Sequence, residues 1–222
     1  MWRDAGLVAG RDLRVELRSR VTTTQVAPFA LLVLVLFAFA LDPDRGLLER
    51  TTPGLYWVTV LFAALLSIGR SAALDDSEGA RDALRLSALD PGGIFAGKAL
   101  AVGAQLLVLE VLLGVGVIVL YGADPAGAGL LAATCLAATV AVAATGTLYG
   151  ALVSGSSVRQ TLLPLLLLPV LAPVLIGATR AFEAALGGAP ADGWPWFGLL
   201  AAFALLYSVA GALAYGVLLE GS

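Results

Sequence analysis

The sequence predicts an all-α integral membrane protein with six transmembrane helices, an N-terminal interfacial helix and a short cytoplasmic helix between the second and third crossings. Three observations carry that expectation. Of 222 residues, 59% are apolar and 13% charged, with a mean hydropathy of +0.94, whereas soluble domains run about 45–50% apolar and about 25% charged. Second, the chain contains six uncharged or nearly uncharged runs, each long enough to cross a bilayer as roughly 20 residues of helix. Third, ten of the 13 Lys and Arg residues fall on one side when successive loops are placed on alternate sides. An excess of basic residues marks the cytoplasmic side, so both termini are expected there.

The first 20 residues are a charged prelude. Leu13 and Leu17 lie four apart, Arg11, Arg14 and Arg18 form a neighbouring stripe, and Glu16 and Arg20 are spaced as a helical pair. Such a helix lies along the membrane surface with its arginines toward anionic lipid headgroups. The first crossing is Val21–Leu41. A basic leader before an apolar run also describes a signal peptide. This run is longer than the roughly 7–15 residues of a signal core, however, and no small-x-small cleavage site precedes Asp42. It reads as a true crossing.

The second crossing is Thr51–Gly69, with Tyr56 and Trp57 expected as aromatic anchors at its outer interface. The loop that follows, within residues 70–98, is the longest on the cytoplasmic side. Ser77 and its acidic neighbours favour a helix start, Leu84, Leu86, Ala88 and Leu89 give a short apolar face, and Pro91-Gly92-Gly93 is expected to end it. A helix of two or three turns held between two crossings acts as a lever on both. Gly92–Lys98 also satisfies the first seven positions of a phosphate-binding G-x-x-x-x-G-K loop. The pattern fails at Ala99, where a Ser or Thr would ligate magnesium, and no strand precedes it. The glycines are expected instead to turn the chain into the bilayer, with Lys98 anchored among the headgroups.

The third crossing, Ala99–Ala123, carries Glu110 near its middle. An ionisable group there costs roughly 2.5–3.5 kcal/mol on insertion scales, so it should face protein or a wet cavity. Thr134, Thr139, Thr145 and Tyr149 of the next helix are candidate partners. That fourth crossing, near Leu130–Val153, contains Gly146-x-x-x-Gly150, a spacing that permits close helix approach within the chain or between copies. The fifth, Gln160–Thr179, holds Pro164, Pro169 and Pro173; each removes a backbone donor, so the segment is expected to bend or partly unwind as a deformable or cavity-lining element. The sixth, Gly193–Leu219, begins at a Trp194-Pro195-Trp196 anchor.

Several chemistries are excluded by residue type. The chain has no histidine and one cysteine, Cys135, so a His/Cys metal cluster or an internal disulfide is out of reach. No paired carboxylates or nucleophile beside a base lie within a crossing. A net charge of −3 gives no nucleic-acid footprint. No metal, catalytic residue or directly bound cofactor is therefore expected.

Two stretches carry a family resemblance. One is the loop from Glu78 through Gly79, Asp82, Leu84, Leu86 and Ser87 to Leu89, followed by Lys98. The other is the proline-punctuated run Leu168–Ile176. With the length, the basic prelude and the six crossings, they resemble ABC-2 type transporter permeases, and more narrowly the haem exporter protein B (CcmB) family of cytochrome c maturation. The resemblance implies that residues 1–222 form one ABC-2 type transmembrane domain in the bacterial inner membrane, present as a homodimer. It implies that CcmA-like ATP-binding subunits hold the ATP and dock on a coupling helix formed by Glu78, Gly79, Asp82, Leu84, Leu86 and Leu89. Haem-handling membrane proteins and a periplasmic haem chaperone are further implied partners, with haem either as cargo or as the load of a chaperone that ATP hydrolysis frees. Glu110 matches nothing in that pattern. Two other readings are a permease for a lipid, drug or polysaccharide and a non-transport assembly scaffold.

Overall fold

The computed structural model describes residues 1–19, 22–41, 45–75, 89–123, 127–153 and 158–220, and among these the regular structure is entirely helical. The elements are α1 (Trp2–Ser19), α2 (Ala27–Leu41) led in by a π-helical turn (Thr22–Val26), α3 (Arg45–Asp75), α4 (Pro91–Tyr121), α5 (Ala128–Leu152), α6 (Arg159–Leu186) and α7 (Pro190–Glu220). Six segments are long and apolar enough to cross a membrane: Thr24–Leu41, Gly46–Ser71, Pro91–Tyr121, Ala128–Leu152, Thr161–Leu186 and Pro190–Leu219. They correspond one for one to the expected crossings. Six crossings bring both termini to one end, where Val8 and Tyr215 share an apolar cluster.

Many large apolar side chains point outward, while others, among them Trp57, Leu34, Leu106 and Leu167, fill the interior. Phe39, Val119, Leu213 and Val217 are all more than 70% exposed, as suits a surface bathed in lipid. The interior is closed by α5, whose buried residues are mostly Ala, Thr and Gly and which touches α3, α4, α6 and α7. Small residues let helices approach where lipid offers no hydrophobic penalty to exposure. At Gly146 a Cβ would collide with the Ile68 side chain of α3, so the Gly146-x-x-x-Gly150 stripe is used within the chain. Buried threonines meet the low dielectric by back-bonding: Thr52 to Leu48, Thr59 to Leu55 and Thr145 to Ala141, each at 2.7 Å.

Three expectations are corrected. The expected loop helix lies outside the described residues, and the third crossing after it, α4, opens at Pro91, eight residues before the expected start. The Asp90 carboxylate caps it by accepting from the Gly93 amide at 2.8 Å, and proline at the first position lacks only a donor that would be unpaired anyway. Tyr56 and Trp57 are not interfacial, because α3 begins at Arg45 and carries them eleven and twelve residues inward, to 2% and 1% exposure. The fifth crossing does not unwind: α6 runs unbroken from Arg159 to Leu186 with its three prolines inside it. Its buried stripe is Leu163, Leu167, Leu171, Val174 and Ala178. The prolines lie off that stripe, Pro169 exposed and Pro164 and Pro173 half-buried, where lipid-side bending needs little repacking of the core.

Candidate functional site

Two polar constructions stand out, one at the terminal end and one deep in the bundle. At the terminal end α1 lies against α4. The packed face of α1 is Ala5, Val8, Asp12 and Glu16, a helical stripe. It seats where α4 has no side chains: a Cβ on Gly97 would stand 2.7 Å from the Ala5 carbonyl and from Val8 Cβ, and one on Gly93 would stand 2.9 Å from the Met1 carbonyl. The glycines that mimic a phosphate loop are thus a docking groove for α1. Ion pairs lock the contact. Lys98 Nζ lies 3.6 Å from Asp12 Oδ2, and Arg70 Nε of α3 lies 3.4 Å from Glu16 Oε2. Lys98 does not reach for headgroups as expected; α1 covers it, leaving 3% exposure.

The same corner receives the end of the loop between α3 and α4. Of the predicted coupling residues, Glu78, Gly79, Asp82, Leu84 and Leu86 lie outside the described residues, whereas Leu89 is described. Leu89 packs on a cluster of Val8, Ile94, Phe95, Ala144 and Tyr215, drawn from α1, α4, α5 and α7. The next residue, Asp90, donates its amide to Asp4 Oδ2 at 3.4 Å, and Asp4 also accepts from the N-terminal ammonium at 3.2 Å. Those two donors hold the Asp4 carboxyl below its ordinary value. The loop therefore ends directly against α1 and at the cap of α4.

Deep in the bundle, Glu110 is 3% exposed on α4. Thr139 of α5 donates its hydroxyl to Glu110 Oε1 at 2.6 Å, and Tyr56 of α3 donates to the Glu110 carbonyl at 3.0 Å, with Cys135 Sγ 3.6 Å from the same phenol. Tyr56 and Trp57 pack with Phe182 of α6, ring centroids 4.8 and 5.2 Å away. One polar knot thus ties four crossings together. Thr139 was among the expected partners; Tyr56 was not, since its place in the sequence suggested an interface. Pro164, Pro169 and Pro173 take no part in the knot, and α6 contributes Phe182 instead. No group of three or more His, Cys, Asp and Glu that could hold a metal occurs among the described residues.

Comparison with known proteins decides the family. The family described as CcmB protein matches residues 5–221. The chain belongs to the CcmB family. Heme exporter protein B of Bradyrhizobium diazoefficiens is 34% identical over 208 residues, covering 92% of this chain and 91% of that protein. Heme exporter protein B of Paracoccus denitrificans is 34% identical over 183 residues, with 81% and 82% covered. That of Escherichia coli K12 is 33% identical over 197 residues, with 82% and 83% covered. The family match, over residues 5–221, takes in the loop, the Gly93–Gly97 groove and the knot of this CcmB-family chain.

Proposed function

We propose that this chain is the membrane permease subunit of an ABC transporter serving cytochrome c maturation, and that it converts ATP-driven movement of a CcmA-like subunit into rearrangement of its helices. Family membership over nearly the whole chain is the observation that carries this reading. The loop containing Glu78, Gly79, Asp82, Leu84, Leu86 and Leu89 receives the motor on the cytoplasmic side, in an inner-membrane homodimer with both termini inside the cell. ATP stays on the partner. Haem is handled by neighbouring membrane proteins and a chaperone, as cargo or as the chaperone's load.

The geometry supports a path for force. A push on the loop arrives at Leu89 and Asp90, which abut α1 and cap α4. α4 has 31 residues, so at 1.5 Å per residue it is a rod of roughly 46 Å, long enough to carry displacement across the bilayer. Its far half holds Glu110, through which α3, α5 and α6 are engaged. The test is copurification of an ATP-binding subunit with the tagged chain. Leu86→Asp or Leu89→Asp is expected to lose the ATPase, or to leave it bound but uncoupled from haem delivery. Retention with full coupling would remove the lever, and a non-transport scaffold would show associated ATPase activity untouched by either change.

A further inference from the structure

A crevice of about 220 Å³ lies where α1, α3 and α4 meet, alongside the ion pairs that hold α1 in place. Both carboxylates on its wall are committed, Asp12 to Lys98 and Glu16 to Arg70. Arg11, also on the wall, forms no ion pair among the described residues. The charge left unbalanced is therefore positive.

Ser67 of α3 is the second sign. It is 6% exposed, yet unlike Thr59 and Thr145, which bond a carbonyl one turn back, it makes no hydrogen bond among the described residues. Its oxygen is not sealed off as those of Thr134 and Thr147 are, so it can be met from the crevice it lines. Ser71 and the Gln105 amide, on the same wall, are likewise without a hydrogen-bond partner among the described residues. Buried polar groups ordinarily find partners. Three uncharged donors and a guanidinium around one space call for several acceptor oxygens that carry negative charge. A phosphate supplies both, taking charge-assisted bonds from the guanidinium and further ones from hydroxyls and an amide.

The surroundings decide where that phosphate comes from. Val15, Ala101 and Val102 complete the wall, and Leu66 and Val108, beside it on two membrane crossings, are 53% and 69% exposed. The group that arrives there belongs on an apolar body. Arg3, Arg14 and Arg18 on the exposed face of α1 raise the local concentration of anionic lipid. We propose that the crevice is a binding site for one anionic phospholipid from the leaflet at the α1 end, its phosphate on Arg11, Ser67 and Ser71, its acyl-ester oxygens toward Gln105 and its chains over Leu66 and Val108. So seated, the lipid ties α1 to α3 and α4. The site does not rest on the transporter role, and its failure would leave that role standing.

Native mass spectrometry of the full chain, delipidated in detergent and titrated with phosphatidylglycerol, tests it. One tightly retained lipid per chain is expected, with phosphatidylcholine bound at least about fivefold more weakly for want of net charge and diacylglycerol, which lacks the phosphate, not retained. Arg11→Gln should weaken binding about tenfold or more and Ser67→Ala several-fold, whereas Arg14→Gln, which removes the same charge from α1 outside the crevice, should change it less than about twofold. Both arginines are exposed, so both variants should melt near the parent temperature. Equal losses in the two arginine variants would reduce the site to diffuse attraction toward a basic helix. Equal retention of diacylglycerol or phosphatidylcholine would remove the recognition of an anionic phosphate, and displacement by millimolar inorganic phosphate would hand the site to a soluble anion. Each of these results, or the absence of a retained lipid, would overturn the proposal.

Discussion

Glu110 shows what one residue imposes on its surroundings. A carboxyl in the membrane interior requires partners, and that demand was legible in the sequence: Thr139 stood among the four side chains within reach. The role of Tyr56 was not legible, because aromatic residues near the expected start of a crossing ordinarily mark an interface. Only the extension of α3 back to Arg45, through a segment that carries Glu49 and Arg50, moves Tyr56 inward. The hydrogen bond from Thr139 sets a clear expectation. Thr139→Val should destabilise the protein by about 1–3 kcal/mol, since it strands a buried oxygen. Combining it with Glu110→Leu, which removes the stranded group as well, should recover much of that loss. Thermal unfolding in detergent of the two single variants and the double variant measures the coupling, and additive losses would argue against the knot.

At the scale of elements, α1 and α4 show where pattern reading succeeds and where it misses. The amphipathic character of the first 20 residues was plain, and so was the apolar run that becomes α4. What could not be read was that α1 leaves the lipid surface along one face to sit in a groove. The signal existed as Gly93-x-x-x-Gly97, but it overlapped a phosphate-loop pattern and lay in a stretch taken for a turn. Asp12, Glu16, Arg70 and Lys98 form their pairs only once that contact exists, since they come from three elements.

Gly97→Leu should lift α1 from α4 while leaving the six crossings in place. Trypsin cleavage after Arg11, Arg14 and Arg18 would then accelerate several-fold in solubilised protein, and an unchanged rate would mean that the groove does not hold α1. For α6, Pro169→Leu should leave thermal stability nearly unchanged, because Pro169 lies on the exposed face and leucine suits both helix and lipid. A loss of several degrees would place the proline in the packed core. The sequence overstated the disruption that three prolines cause, because they fall off the stripe that packs.

At the scale of the whole molecule, bulky apolar side chains cover the outside as well as the core, and small residues, threonines and one carboxyl lie within beside Trp57, Leu34, Leu106 and Leu167. Hydropathy made the number of crossings legible, since a bilayer needs roughly 20 apolar residues whatever the tertiary arrangement. Contacts between helices were less so, because they depend on small residues whose spacing is common in any membrane helix. The resulting account is mechanical. Leu89, α1 and the capped start of α4 converge at one end, and the proposed function has α4 carry displacement from there to the knot in its far half. Asp12→Ala should loosen that convergence, lowering thermal stability by about 1–3 kcal/mol through exposure of Lys98 to an unbalanced site, and calorimetry of the purified chain reads it out.

The account requires the segment between α3 and α4 to face the cytoplasm, where ATP-binding subunits are. With the single native cysteine removed as Cys135→Ser, a reporter placed as Ser87→Cys can be labelled with a membrane-impermeant maleimide in intact spheroplasts and in inverted vesicles. The expected result is labelling in inverted vesicles and none in spheroplasts. Labelling in intact spheroplasts would put the segment on the wrong side of the membrane for any ATP-driven subunit and would contradict the proposed function outright.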